Sequence, residues 1–418
     1  MKPNKYMFFF VLLLLPLFLA GCGRRYPDYS SQSGGLSTED SKTAANGTDA
    51  HTAGSTETSI QISTTEPSAM EDTAGQTDSS SGNDPYEARA GELLSGMSLE
   101  EKVGQVFFVR LRKASAAQDI EKYHLGGYIL FGDDFKDETQ TGIQDFIKGC
   151  QNASPIPLFI GVDEEGGTVC RVSKYGAFRS EPFKSPQDLY KQGGFEAIQA
   201  DTREKAAFLL ELGINVNLAP VCDVSINPDD FIYRRSFGRE ARETADYVRT
   251  VVQEMEKARI GSTLKHFPGY GSNADTHTGS AVDTRDYKQF VQSDFLPFEA
   301  GIEAGADSVL VSHNIVTSMD EKHPASLSRA VHDKLRESLN FKGVIMTDDL
   351  SMDAIKESTS DAAVQAIAAG NDLLVATDFD VQIPAVLDAL NSGNLKEEQI
   401  DASVIRILVW KLKLGILQ

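Results

Sequence analysis

Four short apolar runs in this chain each end in side chains able to move protons or bind polar ligands. Pro157–Val162 runs into Asp163-Glu164-Glu165-Gly166-Gly167, and Gly261–Leu264 runs into Lys265-His266-Phe267-Pro268-Gly269. Ser308–Val311 ends in Ser312-His313-Asn314, and Gly343–Met346 ends in Thr347-Asp348-Asp349. Any one of these could be a capped helix start, because Asp and Thr are favoured N-caps. All of them together, each placed after an apolar run, point to one shared site. Asp275-Thr276-His277 adds a different signal. In extended chain, residues two apart project to the same side. The Asp275 carboxylate could then hold the tautomer of His277 and stabilise its cationic form. The bland alternative is a surface Asp and His that never touch.

These clusters need elements that bring them together. The apolar runs are Val103–Val109, Gly127–Phe131, Pro157–Val162, Ile214–Leu218, Gly261–Leu264, Ser308–Val311, Gly343–Met346 and Leu373–Ala376. Between most of them lie longer stretches with helical spacing, among them Gly194–Leu212, Ala241–Ala258, Tyr287–Ala304 and Arg329–Leu339. Strands alternating with helices argue for an α/β fold with a parallel sheet. About eight such units predict a (β/α)8 TIM barrel, in which catalytic groups gather where strands end. A doubly wound open sheet is the alternative, but no GxGxxG or GxxxxGK[ST] fingerprint follows a strand.

The chain has 418 residues and a formal net charge of -21. A surface that acidic repels phosphate backbones, so no nucleic-acid partner is expected. Lys2 and Lys5 precede an apolar run from Tyr6 to Ala20, the pattern of a signal peptide rather than a membrane span. Leu19-Ala20-Gly21-Cys22 resembles a bacterial lipobox, with Cys22 as the lipidated residue, so residues 1–22 are expected to be a lipoprotein signal peptide. A plain signal peptide or an anchor helix is the alternative. Residues 23–86 are rich in Ser, Thr, Gly and acidic residues and nearly lack large apolar side chains, so they are expected to form a disordered linker. The catalytic domain is then expected over residues 87–418. The mature protein is expected outside the cytoplasm, tethered to the cell membrane through lipid. The remaining cysteines, Cys150, Cys170 and Cys222, lack metal-type spacing and read as small buried hydrophobes.

Several segments are recognisable in order. They are Met97–Gln105, Asp163–Gly167 followed by Arg171, Asn217–Val224, Arg235-Ser236-Phe237-Gly238, Lys265–Gly271, the Asp275-Thr276-His277 loop, and Thr347–Met352. Together they resemble family 3 glycoside hydrolases, and within them the β-N-acetylglucosaminidases. The resemblance spans nearly the whole expected domain. It implies that Asp348 is the nucleophile, that His277 is the general acid/base with Asp275 as its partner, and that Asp163, Arg171, Arg235, Lys265 and His266 bind the terminal sugar. It also implies a retaining mechanism through a glycosyl-enzyme, with no metal and no cofactor. The subgroup usually reads Phe-Pro-Gly-His-Gly, and Tyr270 stands here in place of the His. That departure is expected to disturb loop packing or the leaving-group side more than the chemistry. No second, C-terminal domain is expected after the closing helix near Ile405–Gly415.

The chemistry is consistent with these roles. Retention needs an ionised carboxylate near the anomeric carbon and a proton donor near the leaving oxygen. An imidazole titrates near neutrality without adjustment, and it avoids a second anion beside Asp348. The expected activity is exo-acting hydrolysis of terminal β-linked N-acetylglucosamine, with cell-wall peptidoglycan fragments as one source, by a monomer. A phosphorylase or β-glucosidase of the same family is the enzymatic alternative. A sugar-binding lipoprotein is the non-enzymatic one, though a binding protein needs no nucleophile.

Overall fold

The computed structural model describes residues 85–272, 281–356 and 358–418. In chain order the strands are β1 (Phe107–Arg110), β2 (Gly127–Leu130), β3 (Phe159–Val162), β4 (Glu164–Gly166), β5 (Val169–Cys170) and β6 (Val216–Asn217). They continue as β7 (Gly261–Phe267), β8 (Val282–Asp283), β9 (Ser308–Val311), β10 (Ile315–Val316), β11 (Val344–Thr347) and β12 (Leu374–Ala376). Eight of them form one sheet in the order β11-β9-β7-β6-β3-β2-β1-β12. All neighbours in it are parallel. A parallel bridge from Met346 to Leu373 joins the two ends, so the sheet closes into an α/β barrel of the TIM type. Two small additions sit at strand ends. β4 and β5 make an antiparallel hairpin directly after β3, and β8 pairs with β10.

The apolar runs become barrel strands because such strands are covered on both faces. Every residue of β2, β3, β9 and β11 is buried. The outer helices bury one stripe each. In Ala241–Ala258 that stripe includes Val248, Val251, Val252 and Met255, at the spacing of a single helical face. The three cysteines of the described region are free and buried, as expected.

Some boundaries differ from the expectation. The run Val103–Val109 divides between a helix, Leu99–Gln105, and β1. Ser98 and Glu101 form a reciprocal capping box that commits the first half to helix. The run Ile214–Leu218 has strand geometry only at Val216–Asn217, although the Asn215 and Leu218 N–H groups still donate to the Ile160 and Val162 carbonyls of β3 at 3.0 and 2.9 Å. A side chain adds to these backbone bonds. Asn215 bonds the Ile160 N–H at 2.9 Å and the Leu158 carbonyl at 3.0 Å. The helix expected from Gly194 starts earlier, at Pro186 with Ser185 as N-cap, and breaks at Gly193 and Gly194.

The end of the barrel opposite the polar clusters is closed by the helix Glu397–Lys413. Trp410 packs against Phe159 with ring centroids 4.4 Å apart. A Cβ on Gly261 would lie 2.8 Å from the Trp410 ring, so glycine is needed there. Lys411 beside it is fully buried. Its Nζ donates to Gln105 Oε1 at 2.8 Å and to the Gly126 carbonyl at 3.0 Å, with no ion-pair partner among the described residues. Burial pushes its pKa down to about 7, against about 10.4 in an unfolded chain. Between those values the unfolded state binds the extra proton, so stability rises with pH across that window. Lys411→Met is expected to flatten this rise. Urea midpoints of wild type and variant at pH 7 and pH 9 check it. A wild-type advantage that fails to grow toward pH 9 contradicts the assignment.

Candidate active site

Three of the four polar clusters converge on one cavity at the C-terminal ends of the barrel strands; the fourth, Ser312-His313-Asn314, is buried outside its lining, with His313 2.7 Å from Ser326 Oγ and 2.9 Å from the Asp349 carbonyl oxygen. Asp163, Arg171, Arg235, Lys265, His266 and Asp348 line one cavity of about 200 Å³. Asp163 follows β3, Arg171 follows the β4–β5 hairpin, Lys265 and His266 belong to β7, and Asp348 follows β11. Arg235 comes from the long connection between β6 and the helix Ala241–Ala258. Phe131, Val169 and Met352 supply apolar wall. Asp275, His277 and Cys22 lie outside the described residues.

A continuous chain of charge contacts organises the cavity. The Lys265 ammonium, 2% exposed, sits 2.6 Å from Asp163 Oδ1 and 2.6 Å from Glu165 Oε1. Glu165 takes a bidentate pair from Arg235, at 3.0 Å from Nε and 2.8 Å from Nη2. Arg235 Nη2 also lies 3.1 Å from His266 Nε2. A guanidinium can only donate, so His266 Nε2 accepts. His266 Nδ1 therefore carries the proton, and it donates to Asp223 Oδ2 at 2.7 Å. That arrangement describes a neutral imidazole whose tautomer is set from both sides. Asp223 is held in turn by the backbone N–H groups of His266 and Tyr270, at 3.1 and 2.7 Å.

The electrostatics follow from this geometry. Burial alone would raise the Glu165 pKa, but the charges of Arg235 and Lys265 hold it well below the usual carboxylate range. Burial alone would lower the Arg235 pKa, and Glu165 outweighs that and raises it. Arg171 is looser, with Nε 3.9 Å from Asp163 Oδ2 and no hydrogen-bond partner for that Nε among the described residues. Its guanidinium lies 5.8 Å from the centre of the Phe131 ring.

The two adjacent aspartates have different surroundings. Asp349 is engaged in a turn: its Oδ1 accepts from the Ser351 N–H at 2.9 Å and its Oδ2 from the Thr377 hydroxyl at 2.7 Å. Asp348 Oδ1 accepts from the Asp349 N–H at 2.9 Å, and both aspartates line the cavity, so what differs is that the Asp349 carboxylate is taken up by the turn. Tyr270 is 1% exposed, packs with Val221 and Ile232, and meets the His266 ring edge-on at 5.1 Å. The departure at position 270 is thus a packing residue over the Asp223–His266 pair.

Sequence reasoning did not single out Glu165 or Asp223. A signal for Glu165 was present, since it stands two residues after Asp163 and both carboxylates meet Lys265. Glu164, between them, points away and accepts the Val172 N–H at 2.8 Å, while Asn217 bonds its backbone on both sides. Asp223 stands in the recognisable segment Asn217–Val224, but nothing in the sequence pairs it with His266, which is brought to it by the neighbouring strand.

Residues 98–409 match the family described as Glycosyl hydrolase family 3 N terminal domain. The chain is 31% identical over 330 residues to the β-hexosaminidase LpqI of Mycobacterium tuberculosis, covering 75% of this chain and 83% of that protein. It is also 31% identical over 329 residues to β-hexosaminidase A of Pseudoalteromonas piscicida, covering 71% of this chain and 54% of the relative. Among solved structures, a family 3 β-N-acetylglucosaminidase from Paenibacillus sp. str. FPU-7 superposes with a TM-score of 0.72 at 29% identity, covering 77% of this chain and 63% of that one. This chain therefore spans somewhat under two thirds of that structure. The M. tuberculosis LpqI structure superposes with a TM-score of 0.70 at 28% identity, covering 76% of this chain and 95% of that one.

Proposed function

Because the chain belongs to glycosyl hydrolase family 3, we propose that it is a retaining, exo-acting β-N-acetylglucosaminidase. Asp348 attacks the anomeric carbon and His277, partnered by Asp275, protonates the leaving oxygen. Water, deprotonated by the same imidazole, then releases the sugar from Asp348. Asp163, Arg171, Arg235, Lys265 and His266 hold the terminal sugar. Asp163 accepts from hydroxyls, the cations donate to them, and such charge-assisted bonds are the stronger kind. The observation that carries this reading is the convergence of Asp348 and all five binding candidates on one cavity of about 200 Å³. The names of the relatives support N-acetylglucosamine as the sugar. Peptidoglycan fragments are a fitting source for a protein tethered outside the membrane through Cys22.

An assay with aryl β-N-acetylglucosaminide and aryl β-glucoside, with and without phosphate, tests the proposal. The first substrate is expected to be preferred, independently of phosphate, with the β-anomer of free N-acetylglucosamine as first product by NMR. A preference for the glucoside would overturn the sugar. Sugar 1-phosphate as product would overturn hydrolysis.

A further inference from the structure

Arg285 lies outside the cavity, yet all three nitrogens of its guanidinium have acceptors. Nε and Nη2 donate to the Asp283 carboxylate, at 2.9 and 2.8 Å. Nη1 faces both oxygens of Asp294, at 3.0 and 3.1 Å. Nη2 also donates to the Gly269 carbonyl at 3.1 Å. The guanidinium lies 4.3 Å from the centre of the Phe290 ring. The Asp283 and Asp294 side chains are 1% and 3% exposed. The Arg285 side chain itself is 26% exposed, but a planar fork held by two buried carboxylates and a carbonyl fixes its surroundings more tightly than a point charge can.

What the fork joins is informative. Gly269 is where the chain leaves the end of β7, and Asp283 is where it returns as β8. Asp294 comes from the helical turn Phe290–Asp294 on the barrel wall. The Thr317 N–H donates to the Asp283 carbonyl at 2.9 Å, tying the same point to the segment after β9. The backbone is shaped to admit the clamp. Gly269 has φ +119°, and a Cβ there would lie 2.4 Å from Asp294 Oδ1. Gly271 has φ +55°, and a Cβ there would lie 2.6 Å from Arg285 Cζ. Asp275 and His277 stand in the sequence between these two tied ends.

We propose that Arg285, gripped by Asp283 and Asp294, is a positioning residue for proton transfer by His277, because it fixes both ends of the segment that carries the acid/base. This inference rests on His277 holding that role. Arg285 touches no reacting atom in it. Lysine cannot replace the fork, since one ammonium cannot reach Asp283, Asp294 and the Gly269 carbonyl in the same planar arrangement.

The test compares two substrates with the same sugar. One has a dinitrophenol leaving group, which departs without a proton. The other has an alkyl leaving group, which must take one. Acid catalysis contributes roughly 10²–10⁴-fold where a proton is needed, and kcat/KM reports the step that forms the glycosyl-enzyme. Arg285→Lys is expected to lower kcat/KM about 10²-fold on the alkyl glycoside and to leave the dinitrophenyl glycoside nearly unchanged. Asp294→Asn, which keeps the shape and loosens the grip, is expected to show the same split more weakly, and it serves if Arg285→Lys does not fold. An equal fall on both substrates would mean a merely structural role and would overturn the proposal, as would no change on either. His277→Ala is measured alongside. If His277→Ala itself shows no split, the acid/base assignment has failed. If it shows one and the Arg285 and Asp294 variants do not, the clamp alone has failed.

Discussion

Asp348→Ala is expected to lose at least ~10⁴-fold in kcat on an aryl β-N-acetylglucosaminide, because no group replaces the nucleophile of a two-step displacement. Asp349→Ala is expected to lose far less. Its carboxylate is engaged by the Ser351 N–H and the Thr377 hydroxyl, so its removal loosens a turn rather than the reaction. The contrast between two adjacent aspartates separates a chemical role from a generally acidic site. Azide provides a second readout. In Asp348→Ala the anion can enter the space of the missing carboxylate and attack the anomeric carbon of an activated substrate. The C–N bond forms as the phenolate leaves, so the product is the α-glycosyl azide, with one inversion in place of two. Recovery of turnover with that product identifies Asp348 as the nucleophile. An Asp348→Ala enzyme with full activity would remove the mechanism, whatever the substrate proves to be.

The barrel was legible because its physics is repetitive. A strand covered on both faces must be apolar along its length, and each such run was visible. The strand ends were legible for the opposite reason. Polar groups directly after a buried run have few structural uses beyond capping, so Asp163, Lys265, His266 and Asp348 stood out before any geometry was known. Asp223 shows where that reasoning stops. It is one acid among many in an acidic chain, and the parallel bridge of Val221 with Lys265, beyond the end of β6, brings it near His266. The Ile214–Leu218 run shows another limit. The Asn215 side chain adds bonds to the Ile160 N–H and the Leu158 carbonyl beside its own backbone bonds, so a strand by composition became a two-residue strand with side-chain stitching. Tyr270 was flagged as a departure, and its meaning depended on Val221 and Ile232 packing around it.

Glu165→Ala is expected to have the second-largest effect, and on two observables at once. Glu165 is the shared anion of the cavity, with Lys265 on Oε1 and Arg235 on both oxygens. Removing it leaves two buried cations with too little counter-charge, and breaking such a pair costs roughly 3–5 kcal/mol of stability. Lys265 would retain Asp163, while Arg235 would keep, among the described residues, only the His266 contact. Both cations would shift toward solvent, and a displacement near 1 Å in a positioning group can cost about 10²-fold in rate. A kcat/KM loss of at least that size is expected, with Glu165→Gln intermediate because it keeps the shape and loses the charge. The pH dependence follows from sign. The folded pKa of Glu165 is lowered by Arg235 and Lys265 despite burial, against about 4.3 unfolded. Its contribution is therefore complete above about pH 4.3 and is lost as pH falls below that toward the folded value. Urea midpoints for wild type and Glu165→Gln should stay a constant distance apart from pH 8 to pH 5 and approach each other only in stronger acid. A gap that closes between pH 8 and pH 5 would mean that the carboxylate titrates in that range. The chain of charges from Asp163 to Asp223 would then need a different anchor.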